Sequence, residues 1–338
     1  MLSTLDAARD VVDSVLAPAA GEVDASGKIP VGHFEALARA GLFGAALGDD
    51  RAHLAEIAET VISGCLATGF VWAQHHGVAL AVARSPRGDL LPALRSGEVI
   101  AGVSYAGMAS HGQTLRARRT DTGYVLSGSS AFVTGWGVID MIGAWAHEES
   151  TGEVHLFAIG RPELSAGLTA TPLDLVAAQA SNTVSLDWDD VEVAADRLVT
   201  TMPADRRPQG ANMTIRLNAA LALGICRSAL RELDAVAARN FEFADAAAAA
   251  RAEVARVRTD LDASIDDGAA LYRHRAAAND LAMRLATSVA AAAGSRSVLT
   301  GSTPARLVRE ALFCAVCASR PAIRDEMLVR LLPEGRAT

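Results

Sequence analysis

A chain of 338 residues is long enough for two or three domains and for a sizeable core. Its formal net charge of −8 offers no basic footprint, which argues against nucleic acid as a partner, and its four cysteines are too few for a disulfide framework. Hydrophobic residues make up 51% of the chain, aromatics only 4%, and alanine dominates, a composition suited to closely packed helices. The segment from Met1 to Ala20 carries Asp6, Asp10 and Asp13 and reads as amphipathic, not as a leader peptide. No uncharged apolar run reaches the length of a membrane span, so the cytoplasm is the expected location.

Leu5 to Leu16 is predicted as a first helix, with Leu5, Ala8, Val12, Val15 and Leu16 on one face. Pro18 to Lys28 reads as a linker, and the turn Ser26-Gly27-Lys28-Ile29-Pro30 leads into a second helix from His33 to Ala40, ended by Gly41. Leu54 to Leu66 and Gly69 to Ala83 are helices apolar on nearly all sides, which places them inside a bundle. His75 and His76 lie on the second of these. Adjacent residues point about 100° apart on a helix, so the pair is unsuited to a shared metal, and one packed and one solvated histidine is expected. The run Leu90 to Glu98 then breaks into a strand from Val99 to Tyr105.

The most informative stretch runs from Gly123 to Trp145. Tyr124-Val125-Leu126 leads into Ser127-Gly128, a turn dipeptide; Ala131-Phe132-Val133-Thr134 leads into Gly135-Trp136-Gly137; Val138 to Trp145 is a third apolar run. This pattern predicts two or three strands with glycine-rich corners. Glycine at a strand corner admits a backbone or a flat ligand at close range. Thr134, beside Phe132 and Trp136, sets one hydroxyl next to flat apolar surface, which suits a conjugated ring with polar edges; an ordinary hairpin that happens to carry a threonine is the other reading. With strands at Leu115–Thr120, Glu153–Ile159, Leu168–Pro172 and Thr183–Trp188, a sandwich or small barrel is expected.

After Arg206-Arg207-Pro208-Gln209-Gly210 the chain reads as helical. Helices are predicted over Asn212–Ala238, Ala246–Ala278, Asp280–Ala293 and Ala305–Ala318, then a short one over Pro321–Leu332, together an antiparallel bundle. Cys314 and Cys317 share an apolar helix face beside Phe313 and Val316. Core packing is favoured over redox chemistry or metal binding, since no second cysteine pair exists, and no metal site is expected.

Several of these segments resemble the acyl-CoA dehydrogenase family. Tyr124-Val125-Leu126-Ser127-Gly128 and Phe132-Val133-Thr134 fall in register with the family's "Y-V-L-N-G-x-K-x-W-I-T-N-G" run, Ser130 replacing its Lys. Phe34 to Gly44 is similar to "L-x-E-x-G-L-L-G", with Leu47-Gly48-Asp49-Asp50 as a shortened form of the loop that follows. Leu90 to Glu98 is similar to "L-P-x-L-x-x-G-E", and Leu186 to Val199 to "F-x-D-V-x-V-P-x-x-x-L-L-G", with Ala194 at the proline. The segment Ser104 to Gly112 stands where the family has "T-E-P-x-x-G-S-D", without its acidic residue and proline.

The resemblance covers nearly the whole chain and implies a mostly α protein with a central β domain: an N-terminal helical domain (1–98), a middle β-sandwich or barrel (99–200) and a C-terminal four-helix bundle (208–338). It implies FAD, bound through Tyr105, Phe132, Val133, Thr134, Arg239 and Gly294; Thr134 hydrogen-bonds the flavin ring and Phe132 stands in for the family's ring-packing Trp. Arg239 and Gly294 are what remains of "R-x-x-F-G" and "G-G-x-G". Arg216 lies one residue out of register with a substrate-side arginine. The family's catalytic glutamate position is taken by Ala318, Cys317 and Ser319 flanking it, and the alternative place near Thr214-Ile215 has no carboxylate either. Glu310, Asp325 and Glu326 lie near in sequence, as solvated helix charges or as displaced bases. The implied activity is α,β-dehydrogenation of an acyl thioester, an oxidation of CH–CH groups in fatty acid or lipid metabolism, by a homo- or hetero-oligomer, dimer or tetramer, that takes acyl-CoA or a related substrate. A base-less partner subunit of a heteromeric dehydrogenase and a flavin-dependent monooxygenase of the same fold are the alternatives.

Overall fold

The computed structural model describes residues 3–48, 53–164, 166–205 and 211–332. Asp49 and Asp50 of the shortened loop, and the connection Arg206 to Gly210, lie outside the described residues. The order is helices, strands, helices. Helices α1 (Thr4–Val11) and α2 (Ala17–Ser26) are joined by a π-turn over Val12–Leu16; α3 (Val31–Arg39), α4 (Leu54–Gly64), α5 (Leu66–Ala83) and α6 (Leu91–Ser96) follow. Strands β1 (Ala101–Ser104), β2 (Leu115–Arg119), β3 (Gly123–Val133), β4 (Met141–Glu148), β5 (Glu153–Gly160), β6 (Leu168–Pro172), β7 (Val184–Ala194) and β8 (Leu198–Pro203) come next. Helices α7 (Ala211–Ala237), α8 (Ala244–Ala263), α9 (Gly268–Ala293), α10 (Thr303–Val316) and α11 (Pro321–Leu331) complete the chain. No helix among the described residues is long and apolar enough to cross a membrane.

The strands form one eight-stranded mixed sheet in the order β6-β7-β3-β2-β4-β5-β8, with β1 parallel to β4. One face of the sheet carries its own core of Leu115, Leu126, Ile142, Phe157, Leu186 and Trp188. The other face rests on α5 and α6 through Ala101, Met141 and Leu156 against Val78, Val82 and Leu94. The N-terminal helices and the C-terminal bundle share a single core that runs from Leu16 and Leu37 through Val61 and Trp72 to Leu223, Leu281 and Leu307.

Five details differ from the sequence reading, each for a local reason. Pro18 to Ser26 is helical, not a linker: Pro18 lies in the first turn of α2, directly after the π-turn, and the helix stops at Gly27 in the left-handed region (φ 65°). Ser127-Gly128 is not a turn. Strand β3 runs through it, and Gly128 sits at a register shift with φ 126°, where a Cβ would lie 2.1 Å from the Thr114 carbonyl oxygen. Val138 and Ile139 precede β4 in a turn closed on the Gly135 carbonyl, so that strand starts only at Met141. Strand β7 continues past Trp188 to Ala194, where it pairs with Gly123. The break in the bundle falls at Ser264–Asp267, not at Asn279, because Asp267 caps α9 by accepting from the Ala269 and Ala270 N–H groups.

Candidate functional site

The end of β3 carries the residues singled out in the sequence. Between Ser130 and Val133 the pairing of β3 with β7 shifts register, and in that bulge Phe132 adopts the left-handed region (φ 56°). A bulky residue there is a conformational outlier, and a bulge re-aims the side chain that it holds. Phe132 is turned outward and is 68% exposed, whereas Val133 and Thr134 immediately after it are buried. The Thr134 hydroxyl lies 3.2 Å from Thr183 Oγ1, which lies 2.9 Å from Ser181 Oγ. The neighbouring glycine corner is tight: a Cβ on Gly135 would meet Val71 at 2.9 Å, and one on Gly137 would meet the Asn182 amide at 2.5 Å. The two glycines thus let Val71 and Asn182 pack close against the corner, and the exposed Phe132 ring stands two residues from the buried Thr134 hydroxyl.

The loop between β1 and β2 is clasped to the same stretch. Ser104 Oγ donates to Ser130 Oγ at 2.8 Å, and Ser130 Oγ also accepts from Trp188 Nε1 at 2.9 Å, so serine at this position is a buried joint between three strands. At the other end of the loop, Thr114 exchanges bonds with Ser129: its carbonyl accepts the Ser129 N–H at 3.0 Å, and its hydroxyl donates to the Ser129 carbonyl at 2.8 Å. Residues 105–113 therefore project from β3 just before Phe132. Within them Tyr105, 36% exposed, stacks on His111 at 5.6 Å and 24°, with its hydroxyl near Gly77 of α5. Ser110 Oγ lies 2.9 Å from His111 Nδ1. Desolvation of the ring, and then the positive charge of Arg320, lower the His111 pKa below the ordinary histidine value.

Arg320 belongs to the turn between α10 and α11. Ala318, two residues earlier, is exposed and left-handed (φ 50°), and Ser319 Oγ beside it is buried without a partner among the described residues. The guanidinium of Arg275 reaches the Cys317 and Cys314 carbonyl oxygens at 3.3 and 3.5 Å, answering the negative end of α10. Burial still pushes Arg275 down to about 10. The Cys314 and Cys317 thiols are raised by burial, Cys317 to about 12, so both are neutral packing groups.

The other residues named from sequence lie apart from this cluster. Arg239 is exposed just beyond the end of α7. Gly294 ends α9 with φ 68°, and a Cβ there would meet nothing within 4 Å. Arg216 is 2% exposed and its guanidinium is taken up by Glu59 at 3.0 Å and Asp262 at 2.6 Å. Glu310 is not a solvated helix charge: it is buried, paired with Arg306 at 3.1 Å, and lines a small pocket with Asp24, Cys65 and Gln179. Burial raises its pKa. Asp325 is exposed and Glu326 half-buried. His75 and His76 are both buried, because α5 is covered on nearly every side by α3, α4, β1 and the bundle. Thr183 and Ser181 were missed in the sequence, where nothing marks them; only the pairing of distant strands brings them to the Thr134 hydroxyl.

No family model and no curated protein sequence matches the chain. Solved structures do match. Butyryl-CoA dehydrogenase from Megasphaera elsdenii superposes with a TM-score of 0.76 at 20% identity, over 97% of each chain. The fold is that of the acyl-CoA dehydrogenases. A glutaryl-CoA dehydrogenase from Mycobacterium smegmatis in complex with FADH2 gives a TM-score of 0.79 at 15% identity, over 99% of this chain and 95% of its own. A glutaryl-coenzyme A dehydrogenase complexed with glutaryl-CoA gives 0.80 at 18% identity, over 97% of this chain and 94% of its own. The acyl-CoA dehydrogenase fold thus accounts for nearly the whole chain.

Proposed function

We propose that the protein is an FAD-dependent oxidoreductase that removes hydrogen from the α and β carbons of an acyl thioester. The observation that carries this reading is the end of β3, where an exposed, left-handed Phe132 stands beside the buried Thr134 hydroxyl. It is supported by the fold, whose neighbours include dehydrogenases complexed with FADH2 and with glutaryl-CoA. In this reading Thr134 donates to a polar edge of the ring, Phe132 and Tyr105 cover its apolar faces, and Val133 sets the backbone between them. Arg239 and Gly294, an exposed cation and an open backbone, serve the phosphate end, reached by assembly of more than one subunit. When bound, FAD supplies the two-electron acceptor for the β-hydrogen.

A base-less subunit that completes a second polypeptide is the other reading, and Ala318 favours it: the family's catalytic position here carries a methyl group in a left-handed turn. The protein purified alone separates the two. A flavin spectrum that bleaches on anaerobic addition of an acyl-CoA supports the oxidoreductase, and a colourless protein points to the partner subunit. Bound flavin that ignores every acyl-CoA but consumes oxygen once reduced moves the reading to a monooxygenase. Thr134→Val should weaken flavin binding or slow flavin reduction by at least about tenfold, the size of one hydrogen bond to a polar group in a dry site, with the circular dichroism spectrum unchanged. Unchanged flavin content and reduction rate would remove Thr134 from the ring site.

A further inference from the structure

Arg275 of α9 is 1% exposed, and Asn279, one turn later on the same helix face, is fully buried. The α10–α11 turn is tied to this stretch of α9 on either side of Ser319. Arg275 Nη2 donates to the Cys317 carbonyl at 3.3 Å, and Arg320 donates to the Tyr272 hydroxyl at 3.3 Å. Ile323 and Met327 of α11 then share a small apolar cluster with Ala276 and Tyr272.

The polar groups enclosed there are not answered. Arg275 Nε and Nη1, both polar atoms of the Asn279 amide and the Ser319 hydroxyl are buried without a hydrogen bond among the described residues. Buried polar groups are almost always hydrogen-bonded, and each orphan is costly. The charge is unbalanced too. Buried Arg216 meets Glu59 and Asp262, and Arg306 meets Glu310, whereas Arg275 has no ion pair among the described residues. Burial keeps the Cys314 and Cys317 thiols beside it neutral, and the C-terminal carbonyls of α10 amount to about half a negative charge. The unpartnered set is rich in donors: N–H groups on Nε, Nη1 and Nδ2 and the Ser319 O–H stand against one acceptor-only atom, Asn279 Oδ1. Such a set suits an anion, not a cation.

We propose that Arg275, Asn279 and Ser319 form a buried site for one small monovalent anion, of chloride or formate size, that ties the α10–α11 turn to α9. The site goes beyond the oxidoreductase reading and does not depend on it. One negative charge completes the balance of the guanidinium. Arg275 and Asn279 donate to the ion from the helix, and Ser319 donates from the turn. Because the donor atoms are enclosed, the ion is small and carries no bulky tail.

The test is the thermal midpoint in sodium chloride and in sodium formate, each against sodium gluconate at equal ionic strength, gluconate being too bulky to be enclosed. The wild type is expected to gain about 4 °C at a hundredfold excess of the ion over its dissociation constant, and nothing in gluconate. Arg275→Met should lose that gain. In gluconate it should melt at least as high as the wild type, because it no longer buries a charge without a counter-ion. Ser319→Ala should shrink the gain. A gain in chloride assigns a halide site, and one confined to formate assigns a carboxylate site. A crystal of the wild type, grown in the effective salt with bromide in place of chloride, reads the site whether or not Arg275→Met folds. An anomalous peak or planar density within hydrogen-bond distance of Arg275, Asn279 Nδ2 and Ser319 Oγ is expected. Equal midpoints in the three salts, or a site that holds only water, overturns the proposal. A bound ion without a gain in midpoint is an adventitious ion only and overturns it as well.

Discussion

Glu59 is fully buried on α4, and its two carboxylate oxygens meet Arg216 of α7 at 3.0 Å and Arg258 of α8 at 2.7 Å. Removing one member of such a group leaves the others as buried charge without an answer, which costs more than the pair itself contributes. Glu59→Gln should therefore lower stability by about 3 kcal/mol, seen as a lower urea midpoint with an unchanged slope. A loss below about 0.5 kcal/mol would mean that water reaches the network. The same geometry explains why Arg216 looked like a substrate residue in the sequence: an arginine one residue out of register on a bundle helix gives no sign of which face it occupies. Burial of an aspartate or glutamate partner on a distant helix is a tertiary fact. The corner at Thr134 was legible because Phe132, Gly135 and Gly137, which shape it, are its neighbours in the chain.

At the level of elements, Gly224 of α7 marks a close crossing with α4. A Cβ built there would lie 2.5 Å from Ile62 Cγ2, 2.8 Å from its Cβ and 3.1 Å from the Glu59 carbonyl oxygen. Alanine gains about 1 kcal/mol over glycine inside a helix, but overpacking a close crossing costs about 1–3 kcal/mol, and here backbone is among the atoms struck. Gly224→Ala should thus be destabilising by about 1 kcal/mol net, measured as a fall in thermal midpoint; a rise would show that α4 yields. The helix boundaries tell a related story. The cap at Asp267 and the proline at the start of α2 are written in the sequence, yet alanine-rich runs on both sides extend the helical pattern across them. Strand β3 is the converse case, since Ser127-Gly128 has the composition of a turn and is kept extended by pairing with β2 on one side and β7 on the other.

For the molecule as a whole, α5 joins the helices to the sheet: His75 Nδ1 accepts from the Ala101 N–H of β1 at 3.1 Å. Burial holds His75 down to about 4, and lowers His76 as well. A histidine depressed in the folded state is protonated first in the unfolded chain. Its stability is therefore fully present above about pH 6.5 and is lost as pH falls from there through 4. Stability should be flat above neutrality and fall by about 3 kcal/mol over that window from His75 alone, with His76 adding to it. Urea midpoints measured from pH 8 to 4 test this, and His76→Phe should make the acid limb shallower. A limb that begins only below pH 4 would assign the loss to carboxylates.

The sequence by itself determined the order of helices, strands and helices, and the glycine-rich corner that follows Phe132 to Thr134. Periodicity, turn chemistry and residue identity are local properties, and each of these features is local. Tertiary structure decided which charges are buried, that both helix histidines are packed, and that Phe132 turns outward in a bulge. Those outcomes depend on which distant segments share a core or a register, and no run of neighbouring residues carries that information.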